Sequence, residues 1–176
     1  MSIIHYLVGK ALSSRPGFAA VQAYAFRTPH KHLVGSDGSL YMGRWHVVDE
    51  GTLGGRLLKL FTGYESVRLH WIRRPDHDRH LHNHPFNYRT FVLKGLYSEI
   101  VEGQDQEPVE FNRFVYTGQT ATGSGSKFHR IDQISQGGVW TLFFMTKNKD
   151  AWGFKVDNKF VERGEYFRRR RRHDFL

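Results

Sequence analysis

The chain has no cysteine among its 176 residues. That excludes disulfides, thiolate metal ligands and a cysteine nucleophile, so any metal must sit on nitrogen and oxygen donors. It also suits a cytoplasmic protein, the compartment expected here. Long apolar runs are missing: no window approaches the roughly 18 residues needed to span a bilayer, so no membrane partner is expected. Ile3 to Leu12 lacks the hydrophobic stretch and cleavage site of a secretory signal. Acid is scarce. Seventeen Asp and Glu stand against 26 Lys and Arg, giving a net charge of +9, and the first acidic residue is Asp37.

The composition that is present belongs to one globular domain. Glycine is frequent at 18 residues and phenylalanine at 14, a pattern of short strands joined by tight turns. Ile3, Ile4, Leu7, Val8, Ala11 and Leu12 recur at helical spacing, which predicts a short helix over 2–13, ended by Ser13-Ser14-Arg15-Pro16-Gly17. Residues 18–38 carry no clear period, apart from a turn signal at Ser36-Asp37-Gly38. A strand is expected over Leu40 to Val48, and one or two helical turns over Arg56 to Phe61. From Ser66 onward strand follows strand: 66–74, 79–84, 86–94, 96–102, 109–116, 127–134, 139–147, 151–156 and 159–163. No helix beyond about one turn is expected in that half. Many antiparallel strands in one domain predict an all-β sandwich or closed barrel, with its core over about 40–163. Arg168, Arg169, Arg170, Arg171 and Arg172 repel one another, so 166–176 is expected to be a solvated basic tail.

The segment Asp76 to Tyr88 is the most informative. On a strand, His80, His82 and His84 point the same way. Two imidazoles two residues apart can grip one ion, and imidazole suits zinc, copper, iron and nickel. The same spacing also fits a polar strand facing water. A third ligand must come from elsewhere, and His129, at the start of a strand after a Gly/Ser-rich turn, is the best candidate.

These residues resemble the cupin family's first motif: Gly, five residues, His-x-His, three or four residues, Glu, six residues, Gly. His82 and His84 match the pair, Gly95 matches the closing glycine, Tyr88 stands at the glutamate position and Asp76 at the opening glycine. Pairing His80 with His82 would miss Gly95. The second motif is Gly, five residues, Pro-x-Gly, two residues, His, three residues, Asn; Gly118 and His129 match it, with Ser124, Ser126 and Gln133 replacing the other three. The stretch Ser66 to Glu99, with His129-Arg130-Ile131, Thr141-Leu142-Phe143 and Trp152-Gly153-Phe154, resembles short single-domain cupin-like proteins of bacteria and phages. The resemblance implies a double-stranded β-helix (jelly-roll barrel), a divalent metal on His82, His84 and His129, and a homodimer.

The missing glutamate also carries meaning. Tyr88 is a poor replacement, because a free phenol titrates near ~10. Three neutral imidazoles leave a divalent ion's charge uncompensated and favour an anionic substrate. The set resembles the three-histidine site of thiol dioxygenases, which implies iron(II) holding substrate and dioxygen together, with a tyrosine and an arginine nearby. Tyr88, His70 and Asn87 are therefore candidate supporting residues. Asn87 would point outward on a regular strand and inward if Pro85 creates a bulge. Arg68, Arg89 and Arg130 are candidates for holding an anionic small or peptide-linked substrate, and His77 and His80 for the rim.

Three functions follow. The first is a non-haem iron(II) oxygenase. The second is a zinc, nickel or manganese cupin that isomerises or hydrolyses a sugar-like substrate. The third is a non-catalytic module whose arginine tail holds nucleic acid or an acidic partner.

Overall fold

The computed structural model describes residues 3–35, 38–103, 105, 107–115, 120–121, 128–147 and 150–172, with backbone only at 120–121. Ser36 and Asp37 of the expected turn, and Gly118, Ser124 and Ser126 of the second motif, lie outside them.

Two antiparallel sheets of six strands face each other. The first runs in the order β1 (Leu33–Val34), β2 (Leu40–Val48), β3 (Ser66–Ile72), β10 (Val139–Met145), β5 (Tyr88–Lys94) and β8 (Thr120–Ala121). The second runs β12 (Lys159–Glu162), β11 (Gly153–Val156), β4 (Leu81–His82), β9 (His129–Ile134), β6 (Tyr97–Glu102) and β7 (Pro108–Arg113). Met42, Ile72, Val92 and Val139 of the first sheet pack across the interior on Tyr97 and Ile131 of the second. Each expected strand from Ser66 onward is present, most of them trimmed at their ends. The run at 79–84 shrinks to the two paired residues Leu81 and His82.

Three helices cover the outer face of the first sheet. These are α1 (Ile3–Ser13), α2 (Arg15–Ala25) and α3 (Leu53–Thr62). Leu12, Phe18, Val21 and Leu58 from these helices pack against a cluster that includes Leu69 and Phe91. The sheet is therefore buried on both faces, and strands such as β10 read as nearly continuous apolar runs rather than alternations. The unassigned region 18–38 contains most of α2. Its start is capped by Ser14, whose hydroxyl accepts the Gly17 N–H at 3.2 Å. Helix α3 is longer than the expected turn or two. Thr52 caps it at one end and Gly63, at φ 79°, closes it at the other.

The expected solvated tail is a correction. Arg163–Arg171 form a fourth helix, α4, which packs on β11 and β12. Tyr166 is 1% exposed and stacks on Phe154 at 3.7 Å between ring centroids. Glu162 caps the start, Arg168 pairs with Glu165, and Arg170 pairs with Asp78 on the barrel. Arginines in a last helical turn sit at the negative end of the helix dipole, which lessens their mutual repulsion. Among the described residues, no helix is long and apolar enough to cross a membrane.

Candidate metal centre

His82 and His129 are directly paired across β4 and β9, and His84 follows two residues further along the same face. The bend that carries His84 is clamped by Asn83. Its side-chain oxygen accepts the Gly153 N–H at 2.8 Å and its amide donates to the Ala151 carbonyl at 3.2 Å. Nε2 of His84 lies 2.9 Å from Nε2 of His129, and the ligand atoms of all three histidines lie within 4.8 Å of one another. Two nitrogens at right angles about an ion ~2.1 Å away would be about 3 Å apart, which matches the spacing of His84 and His129.

The electrostatics keep the His82 and His84 rings neutral. Burial, reinforced by His129, lowers His82 to about 4, although Asp76 and Glu99 oppose the shift. Burial, with His129 and His82 beside it, holds His84 well below the usual imidazole value. Burial does the same to His70, aided by Arg44 and Arg68. Neutral imidazoles offer lone pairs at physiological pH.

Two carboxylates support the cluster, and neither was a site candidate from the sequence, where Asp76 entered only at the motif's opening-glycine position. Glu99 on β6 is fully buried; its carboxylate accepts from His129 Nδ1 at 2.9 Å and from Arg113 Nε at 2.6 Å. Burial alone would raise its pKa, but the His129 hydrogen bond and Arg113 outweigh it and hold it below its usual value. With Nδ1–H committed to Glu99, Nε2 of His129 is left for a metal, the carboxylate–histidine arrangement of many metal sites. Asp76 accepts from the Tyr41 hydroxyl and from the Ile131 N–H, and sits 3.9 Å from His82 Nδ1. Glu99 had one sequence signal: it occupies the inward phase of Tyr97, Glu99 and Val101.

The histidines open into a cavity of about 280 Å³ between the sheets. Tyr88 lines it as its parity predicts, 4.8 Å from the His84 ring and stacked on Phe143. Burial, with Glu99 adding to it, pushes its phenol well above 10, so it stays protonated. The opposite wall is cationic. Arg44 pairs with His70 across β2 and β3, and His46 with Arg68. Arg68 is tied to Asp49 at 2.8 Å and to the Val48 carbonyl at 2.9 Å. Arg44, which was not a candidate, makes no ion pair among the described residues, and its Nε is buried without a hydrogen-bond partner. His70 Nε2 is likewise buried and unpartnered, and His70 lies outside the three-histidine group.

Three expected site residues fall elsewhere. Asn87, Arg89 and Arg130 do not line the cavity. His84, Phe86 and Tyr88 do, so Pro85 leaves the alternation intact and Asn87 points away. Arg89 lies in the field of His5 on α1, and Arg130 pairs with Asp132. His77 lines the mouth, and His80 contacts the Tyr166 hydroxyl at 3.1 Å, apart from the cluster.

A pH dependence follows from the buried imidazoles. In the unfolded chain they titrate near ~6.5. Below that value the unfolded state takes up protons that the fold refuses, so stability is full above about 6.5 and declines on acidification toward about 4, the value at His82. Melting temperatures of metal-free protein should fall steadily through that window; a flat profile would contradict neutral, buried histidines.

No protein-family model matches the sequence, and a search of curated proteins finds no relative. Among solved structures, an oxidoreductase of the 2OG-Fe(II) oxygenase family from Burkholderia pseudomallei superposes with a TM-score of 0.50 at 11% identity, covering 77% of this chain and 82% of that one. A protein from Rhodospirillum rubrum described as a cupin-2 domain gives 0.50 at 12% identity, covering 81% of each chain. The chain therefore has the cupin fold: a double-stranded β-barrel with a histidine cluster between its sheets.

Proposed function

We propose that the protein is a metal-dependent enzyme, a non-haem iron(II) oxygenase acting on an anionic substrate. One observation carries the reading: three imidazoles converge in a cavity, with no carboxylate in the ligand group among the described residues. An ion held there keeps its full charge and open positions, which favours a chelating anion. Iron(II) at this site would supply dioxygen activation. The chain's own contribution is binding and orientation. Glu99 fixes His129, Arg44 and His70 offer donors to an anionic group, and Tyr88 holds a proton beside His84. Phe86, Phe143 and Ile72 line the same cavity and limit water. The Burkholderia neighbour, an oxidoreductase of the 2OG-Fe(II) oxygenase family, accords with this class.

Three imidazoles serve zinc, nickel and manganese as well, which keeps an isomerase or hydrolase as the second reading. Oxygen uptake separates the two. Anaerobically prepared protein loaded with iron(II) should consume dioxygen with one of a panel of anionic thiols and 2-oxoacids, and His84→Ala should not. Turnover of a sugar-like substrate with zinc, nickel or manganese and no oxygen uptake would replace the oxygenase reading.

A further inference from the structure

A second hollow, of about 870 Å³, opens onto the histidine cluster. It shares Tyr41, Arg44, Asp76, His82, His84 and Phe86 with the inner cavity and so forms its approach. Helix α4 supplies one wall. Arg163, Arg170 and Arg171 of that helix line the hollow together with Arg74, which follows β3.

Most of this charge is uncompensated. Arg170 is paired with Asp78. Arg74, Arg163 and Arg171 make no ion pair among the described residues, and Arg74 Nε is buried without a hydrogen-bond partner. The two acids that line the hollow are already engaged, Asp76 by the Tyr41 hydroxyl and the Ile131 N–H, and Asp78 by Arg170. Two of the free guanidiniums are held over aromatic rings, Arg74 at 5.0 Å from the Tyr41 centroid and Arg163 at 4.6 Å from Trp152. Stacking of this kind orients a guanidinium while leaving its N–H edges for an anion. Trp152 and Phe167 add ring surface to the same wall.

We propose that this hollow binds the phosphate groups of a nucleotide, with a planar ring against Trp152, so that the remainder of the ligand reaches the histidine cluster. The proposal deepens the anionic-substrate reading and rests on it only for what happens at the metal; the binding itself stands on the groove. Four unpaired guanidiniums around one hollow, those of Arg44, Arg74, Arg163 and Arg171, exceed what a single carboxylate needs, whereas a di- or triphosphate spreads several charges and accepts forked hydrogen bonds. Aromatic faces stack on bases of any sequence. The volume is that of a small-molecule site, which favours a mononucleotide over a nucleic-acid strand.

Direct binding tests this without any activity. Calorimetric titrations of the full chain with ADP, inorganic pyrophosphate, adenosine and a thymidine oligonucleotide are made with and without iron(II). ADP should bind once per chain in both conditions, and pyrophosphate should compete. Arg163→Gln combined with Arg171→Gln should weaken both by at least about tenfold, the loss expected for charge-assisted hydrogen bonds. Arg171→Gln alone, on an exposed helical position, should weaken binding with an unchanged melting temperature. Trp152→Leu should weaken ADP but not pyrophosphate. Absence of saturable binding, or binding indifferent to the arginine changes, overturns the proposal. Tighter binding of the oligonucleotide, with sites scaling with its length and a steep salt dependence, also overturns it, in favour of a nucleic-acid surface. Metal content is read separately, so failure here leaves the metal reading standing.

Discussion

Replacing His129 with alanine is expected to abolish stoichiometric metal binding and to lower stability at the same time. His129 contributes one of the two Nε2 atoms that lie 2.9 Å apart, and two remaining imidazoles on one short segment cannot close a site. The same change removes the donor to Glu99, leaving a fully buried carboxylate with Arg113 alone. An unsatisfied buried group of this kind costs about 1–3 kcal/mol, more when charged. Glu99→Gln separates the two effects. It keeps the volume of the side chain but removes the charge behind His129, so metal affinity should fall by roughly 10–100-fold, the usual cost of losing such a partner. Titration against a competing chelator reads both variants. Wild-type affinity in His129→Ala would mean that the histidines hold no metal together.

Tyr166→Ala should be the most damaging change outside the barrel. The ring is buried against Phe154, and truncating an aromatic in such a position costs about 3–5 kcal/mol. For a domain of this size that is a fall of roughly 6–20 °C in melting temperature. Tyr166→Phe keeps the stack and loses only the hydroxyl contact to His80, about 1 kcal/mol. A solvated tail predicts no change for either variant, so a silent Tyr166→Ala would detach α4 from the fold.

This helix marks where sequence reading stopped. The arginine run dominates the local composition, and its repulsion argues for a tail. Tyr166 and Phe167 are the only apolar residues ahead of it in α4, and their partner Phe154 lies on another element, so nothing local reveals their burial. The barrel was legible for the opposite reason: turn residues punctuate each strand from Ser66 onward, and the punctuation survives even where helices cover the sheet and erase the alternation. The clustering of His82 and His84 was legible because parity puts them on one face and Gly95, through the motif resemblance, fixes the register. Their supports were not. Glu99 and Asp76 gain meaning only through partners on other elements, and a lone acid in a strand or loop carries no mark of which side chain it will meet. Arg44 was hidden in the same way, since its place opposite His70 is set by the pairing of β2 with β3. Asn87, Arg89 and Arg130 sit beside inward-facing residues in sequence and face outward by the same parity that placed Tyr88 inside.

The central claim is that His82, His84 and His129 form one metal site. Its most direct test is the metal content of untagged protein purified without oxygen, measured by elemental analysis before and after adding iron(II). The account predicts close to one divalent ion per chain. A wild-type protein that holds no metal, even with iron(II) supplied, would contradict it.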